Sequence, residues 1–260
     1  MRLSRFYIEQ ELSVNQSHTL GTDLTHYLRN VLRLKPGDKI VLFNGYGGEY
    51  LARIETIGKK EVTVFTIQFE PLSRESELAL CLGISIVKRD AMDAIIQKST
   101  ELGVREIQPL IADLTTVSAK AIKQRTAHWR AIAISACEQC GRNKLPTVHD
   151  PIATQDWIPH QTLGLKLAMD PSGDYSLMDP YYGEDATVTP ERISVLIGPE
   201  GGLSDDELKL AEHHGYLTTR LGKRILRADT APIVVLSILQ ARFGDYSSSS
   251  EATRHISDSM

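Results

Sequence analysis

The sequence predicts an α/β protein of two units: a small N-terminal β-barrel, then a domain whose mainly parallel sheet is covered by helices on both faces. Three observations predict this. Residues 1–70 read as short strands separated by turns. From Leu78 onward, strand-like runs alternate with helical ones. Between them Pro71 to Glu77 (PLSRESE) is polar and reads as a linker. At roughly 100–200 residues per domain, 260 residues allow one large domain or two small ones, and either buries a proper core.

In the first unit, the start of the chain is strand-like. Thr22 to Leu34 places Leu24, Tyr27, Leu28, Val31 and Leu32 at helical spacing, and Lys35-Pro36-Gly37-Asp38 closes it as a turn. Lys39 to Phe43 and Tyr50 to Ile54 are β-prone runs joined by Asn44-Gly45-Tyr46-Gly47-Gly48, and Glu61 to Phe69 alternates in period two. In the second unit, Leu78 to Val87 is a strand and Ala91 to Leu102 a helix, with Asp90 as N-cap and Gly103 at C′. Ile107 to Ile111 is again a strand, completing a βαβ unit. A helix over Ala119 to Cys140 is stopped by Gly141, and strands follow at Leu165 to Met169 and Ile193 to Ile197. Ser204 and Glu207 form an S-x-x-E capping box for a helix ending near Gly215. The final helix, Pro232 to Phe243, is apolar almost all round and belongs in a core or at a subunit interface. The tail from Ser247 is polar and expected to be disordered.

Composition excludes several classes. Apolar residues make up 42% and charged residues 24%, which is ordinary globular usage. No stretch approaches the ~18 uncharged apolar residues of a membrane span, and no apolar signal core opens the chain, so a cytoplasmic protein is expected. Three cysteines are too few for a disulfide framework. Net charge is −4, but the acid lies late: residues 1–70 hold nine basic and eight acidic side chains, residues 151–246 eight and fourteen. Indiscriminate nucleic-acid binding is disfavoured, and a polyanion would have to be met on the first 150 residues.

Two segments could carry chemistry. Leu196 to Ser204 (LIGPEGGLS) joins a buried strand to a capped helix at the carboxyl end of the sheet, the usual ligand crevice of open α/β folds. It lacks the Lys-Ser/Thr of a P-loop and the G-x-G-x-x-G of a dinucleotide site. On spacing alone it reads equally as a ligand loop or as a tight turn with structural glycines. Leu221 to Pro232 (LGKRILRADTAP) sets three basic residues before a helix whose start is marked by Asp229 or Thr230; alone, it reads as a solvated basic loop. Cys137-x-x-Cys140 falls inside a helical pattern with no second ligand pair, so packing is favoured over metal. Trp129 and Trp157 read as packing residues, and His213 and His214 as surface residues at a helix end. Near the amino end, Arg2, Arg5, His26, Arg29 and Arg33 gather with Phe6, Tyr7 and Tyr27, a pattern suited to RNA phosphates and bases or to an ordinary charged face. Arg29 and Arg33 are expected to share a helix face.

Taken in order, these motifs resemble one family. Arg5-Phe6-Tyr7, His26-x4-Val31-Leu32-Arg33, Gln97-Lys98-x-x-Glu101-Leu102-Gly103-Val104, Glu138-Gln139-Cys140-Gly141-Arg142, IGPEGG from Ile197 to Gly202, Leu221-Gly222-x-x-Ile225-Leu226-Arg227-x-Asp229-Thr230-Ala231 and Arg242-Phe243-Gly244-Asp245 are similar to the bacterial small-subunit ribosomal RNA uridine-N3 methyltransferases, the RsmE family. The resemblance covers residues 1–246. It implies a PUA-like RNA-binding β-barrel over 1–70, a linker at 71–77 and a SPOUT methyltransferase domain with a trefoil knot over 78–246, acting as a homodimer.

It further implies S-adenosyl-L-methionine as cofactor, without metal, held by Leu167, Ile197, Gly198, Pro199, Glu200, Gly201, Gly202, Leu221, Gly222, Ile225, Leu226 and Arg227. Arg227 is the implied catalytic residue, stabilising the uracil anion. Arg5, His26, Arg29, Arg33 and Arg142 are the implied contacts to 16S ribosomal RNA or the small ribosomal subunit, and Val235 or Leu239 the position facing the second protomer. Where the family most often has Glu, this chain has Asp229, one methylene shorter.

Overall fold

The computed structural model describes residues 3–117, 125–179 and 190–246. The chain divides into two compact units. One is Met1–Glu75 with Ala131–Leu145; the other is Ser76–Arg130 with Pro146–Met260.

The first unit holds strands β1 (Arg5–Tyr7), β2 (Ser17–Leu20), β3 (Lys39–Phe43), β4 (Glu49–Ile57) and β5 (Val62–Glu70) in one sheet of order β1-β3-β4-β5-β2. β1 pairs with β3 in parallel and the other pairs are antiparallel. Register shifts at Leu51/Ala52 and Ile54/Thr56 bend β4 against β5, as bulges do. With β1 and β2 at its edges the sheet is an open half-barrel around Phe6, Leu20, Leu28, Ile40, Leu42, Ile54, Val62 and Val64. The period-two reading of β5 holds, with Val62, Val64 and Thr66 facing inward.

The helix expected over Thr22 to Leu34 is shorter and irregular: α1 spans Thr22–His26, and Tyr27–Val31 forms a π-helical turn. Leu24, Leu28, Leu32 and Leu34 all reach the same core, which Leu34 could not do in a continuing α-helix, where it points well away from Leu28. Arg33 then adopts φ 54, outside the helix, so it does not share a helix face with Arg29.

Residues 131–145 complete this unit, a part that spacing did not assign to it. Arg5 is 8% exposed, pairs with Glu49, and donates to the carbonyls of Gly141 (3.2 Å) and Arg142 (3.1 Å). Arg142 is 4% exposed and holds Glu75 through Nη2 at 2.7 Å and Nε at 3.1 Å. Arg74 donates to the Gly141 carbonyl, Asn143 to the Leu72 carbonyl, and the Tyr7 amide to Glu138. The expected linker is thus partly tied down, and Arg5 and Arg142 are committed to internal carboxylates and carbonyls rather than offered to RNA.

In the second unit, β6 (Ala79–Ser85), β7 (Glu106–Ile111), β8 (Thr147–Val148), β9 (Ile152–Ala153), β10 (Leu165–Met169), β11 (Tyr175–Ser176), β12 (Arg192–Ile197) and β13 (Leu217–Arg220) form an all-parallel sheet of order β11-β13-β10-β12-β6-β7-β8, with β9 also on β7. Its central strands are buried on both faces, which is why β6 and β12 read as continuous apolar runs. Trp157 packs where a Cβ on Gly83 would come within 2.5 Å of its ring, a packing role as expected.

Among the described residues the further α-helices are α2 (Arg89–Glu101), α3 (Thr126–Cys140), α4 (Thr154–Trp157), α5 (Asp205–His213) and α6 (Thr230–Phe243). Lys88, not Asp90, is the N-cap of α2, and Asp90 lies in its first turn. Gly103 and Gly141 follow their helices with φ 82 and 98, the left-handed conformation that ends a helix. The expected start of α3 at Ala119 and the tail from Ser247 lie outside the described residues.

α6 packs on α2, and its Gln240 donates to the Leu102 carbonyl and accepts from Ser76. Val235 and Leu239 are fully buried inside their own unit, so neither faces a second protomer. An all-round apolar helix does not tell its inner face from its outer one by spacing alone.

Candidate active site

Parallel register brings the carboxyl ends of three strands side by side: Met169 of β10 pairs with Ile197 of β12 and with Thr219 of β13. Three loops leave from there. Gly198 begins the first, and a Cβ on it would sit 2.7 Å from backbone atoms of Gly202 and Leu203, so the loop folds on itself only with glycine at that position. Gly202 closes the turn, donating to the Pro199 carbonyl at 2.9 Å with φ 81.

The capping box then locks the loop to α5: Glu207 N–H donates to Ser204 Oγ at 3.2 Å, and Ser204 N–H to Glu207 Oε2 at 2.9 Å. The same buried Glu207 carboxylate accepts from the Asp113 amide at 3.1 Å, while Ser204 Oγ donates to Asp113 Oδ2 at 2.7 Å.

The second loop is pinned at Asp170, whose amide donates to the Thr219 carbonyl, and by Arg220, which donates to the carbonyls of Gly173 and Asp174. In the third loop the Arg227 carbonyl accepts from the Thr230 and Ala231 amides, handing the chain into α6. Asp229 stands at the N-cap position in helical conformation, and its Oδ1 accepts from the Thr230 hydroxyl rather than capping a backbone amide.

Between these loops lies a cavity of about 580 Å3. Its walls are mostly apolar, among them Met169, Ile197, Leu221, Ile225 and Leu226. Its charged side chains balance, with Lys88, Arg224 and Arg227 against Asp170, Glu200 and Asp229. The volume lies in the range of small-molecule and cofactor sites, ~300–1,000 Å3.

Residues 74–240 match the RNA methyltransferase domain family, and residues 20–67 the RNA methyltransferase PUA domain family. Over 252 residues the chain is 34% identical to the ribosomal RNA small subunit methyltransferase E of Buchnera aphidicola subsp. Schizaphis graminum, covering 95% of this chain and 99% of that one. The chain belongs to the ribosomal RNA small subunit methyltransferase E family. Solved structures agree. A methyltransferase of Legionella pneumophila, solved with the bound cofactor SAM, is 36% identical, with TM-score 0.88 over 94% of this chain and all of that one. A ribosomal RNA small subunit methyltransferase E of Neisseria gonorrhoeae, bound to S-adenosyl methionine, is 33% identical, with TM-score 0.84 and the same coverage.

For this member of the methyltransferase E family, ten of the twelve residues expected at the cofactor line the cavity: Ile197, Gly198, Pro199, Glu200, Gly202, Leu221, Gly222, Ile225, Leu226 and Arg227. Two do not. Leu167 is fully buried in mid-strand, two residues before the β10 end that reaches the cavity. Gly201 lies on the far side of its loop, where an added Cβ would contact Leu114 at 3.4 Å.

Spacing missed Lys88 and Ala91 at the start of α2, and Thr219. β13 is four residues long with two buried threonines, too short to read as a strand, and its place beside β10 is a matter of sheet order. In the first unit His26, Arg29 and Arg33 are exposed on and just after the irregular helix, with Tyr27 beside them.

Proposed function

We propose that this enzyme transfers the methyl group of S-adenosyl-L-methionine to N3 of a uridine in the 16S ribosomal RNA of the small subunit, in the cytoplasm. The observation that carries the reading is the cavity at the ends of β10, β12 and β13, built from the two motif loops and found in a family whose solved relatives hold this cofactor. The residues fit the group. Backbone polar groups of the glycine loop and apolar walls at Ile197, Leu221 and Leu226 suit a flat adenosine, and balanced charges suit a ligand carrying both an ammonium and a carboxylate.

S-adenosyl-L-methionine supplies a methyl already activated by its sulfonium. The chain's task is alignment and care of the uracil, whose N3 is protonated at neutral pH and nucleophilic only after the proton leaves. Arg227 is exposed on the cavity lining, where its guanidinium can favour the uracil anion by charge and by hydrogen bonds to a ring carbonyl oxygen.

RNA is met on the first unit by His26, Arg29 and Arg33. A π-helical turn and a left-handed Arg33 break the regular helix there, a local irregularity often found at functional surfaces. The trefoil knot and the homodimer belong to the same reading. The half-buried Ile233, Val234 and Ile238 of α6 are the apolar positions a second protomer would cover.

Calorimetric titration with S-adenosyl-L-methionine tests the site. Wild type should bind, and Arg227→Ala, which removes one side chain of the cavity wall, should bind more weakly but detectably while losing methyl transfer even at saturating cofactor; full transfer by Arg227→Ala would remove its catalytic role.

A further inference from the structure

The five-residue hairpin loop between β3 and β4 carries an aromatic side chain that the site above does not use. Tyr46 is 83% exposed. Its neighbours Gly45, Gly47 and Gly48 all have positive φ, at 86, 100 and 66, so the loop path is one that only glycines follow without strain. The tip is also anchored. The Tyr46 amide donates to Asn44 Oδ1, and a Cβ on Gly48 would lie 2.4 Å from the Phe69 ring, which itself packs on Tyr50.

Beside the loop runs Lys144, in the segment that completes the first unit. Its Cε lies 3.5 Å from where a Gly47 Cβ would be, and the residue is exposed. Tyr7 and Leu145 support the other flank, close to Gly45. Solvent exposure of a whole phenol costs free energy that burial would recover, and here the loop holds the ring out.

We propose that Tyr46 and Lys144 form a second RNA contact, the Tyr46 ring stacking on an unpaired base and the Lys144 ammonium pairing with a neighbouring phosphate. This rests on the reading of RNA as substrate. It extends the contact surface from the irregular helix bearing His26 and Arg29, with Arg33 just after it, to a separate loop of the same unit. The chemistry favours a base over a protein partner. A protein interface centres on a cluster of exposed apolar anchors, whereas Tyr7 and Leu145 are half-buried, Phe69 is only 39% exposed, and Tyr46 at 83% projects beside a cation, the combination of stacking platform and phosphate counter-charge that single-stranded RNA requires.

The test uses the full-length enzyme, small ribosomal subunits lacking the modification for methyl transfer, and protein-free 16S ribosomal RNA for binding at several salt concentrations. Tyr46→Ala should raise KM for the subunit and weaken RNA binding about tenfold, within the range found for loss of one base stack. Affinity for S-adenosyl-L-methionine should not change, and Tyr46→Phe, which keeps the ring, should behave as wild type. Lys144→Ala should lower the salt dependence of binding by about one phosphate contact. Tyr46→Ala matching a wild type that does methylate RNA overturns the stacking contact and leaves the methyltransferase reading intact. Tyr46→Phe as weak as Tyr46→Ala also overturns it, since the ring would then not be what binds. A wild type that neither binds nor methylates the RNA fails the underlying reading instead.

Discussion

Glycines at neighbouring positions do different work. Gly198→Val forces a side chain into the backbone of Gly202 and Leu203, so the loop must open and S-adenosyl-L-methionine binding should fall below detection in a calorimetric titration. Gly201→Val meets only the flexible Leu114 side chain and should bind within a few-fold of wild type. Equal loss in both would mean that the loop, not its individual backbone positions, is the unit of recognition.

The arginines separate in the same way. Arg5→Ala removes one half of a buried ion pair, a change that typically costs about 3–5 kcal/mol; Arg74 stays on Glu49 at 3.3 Å, which favours the lower end. Thermal unfolding should show a clear drop in Tm for Arg5→Ala. Arg33→Ala, exposed and with no buried partner among the described residues, should leave Tm within about a degree while weakening RNA binding. The reverse pattern would contradict both assignments. Residue type could not reveal this difference: Arg5, Arg33 and Arg142 are equally basic, and only the carboxylates at Glu49 and Glu75, distant in sequence, decide which are consumed internally.

At the level of elements, legibility followed length and periodicity. β3, β5, β6, β10 and β12, and helices α2 and α5, were readable because each holds a sustained apolar period or a capping signal. β8, β9 and β11 have two residues each and β13 four, so no period can form in them. The site loops were legible as motifs, but that Lys88 and Thr219 line the same cavity depends on sheet order, which spacing does not encode.

Helix α6 shows the limit most clearly. A helix apolar on every side gives no facing, and only packing reveals that Val235 and Leu239 point inward. Val235→Glu or Leu239→Glu should therefore compromise folding itself, seen as loss of soluble protein or of a cooperative melt. Ile233→Glu, at a half-buried position, should leave the fold intact and shift sedimentation toward monomer. A folded, monomeric Leu239→Glu would contradict the inward assignment.

At the scale of the whole molecule, the proposed function assigns RNA to the half-barrel unit, through His26, Arg29 and Arg33, and the cofactor to the cavity of the parallel-sheet unit. On that proposal, acid concentrated in residues 151–246 is no obstacle, because phosphate would be met on the other unit. The most direct measurement incubates the purified enzyme with methyl-labelled S-adenosyl-L-methionine and small ribosomal subunits from cells lacking the gene, then analyses the RNA nucleosides by mass spectrometry. Label should appear in 3-methyluridine at a single position of the 16S RNA, unaffected by a metal chelator. Label on another base or on a ribose hydroxyl, or no transfer by a protein that binds both partners, would contradict the proposed function.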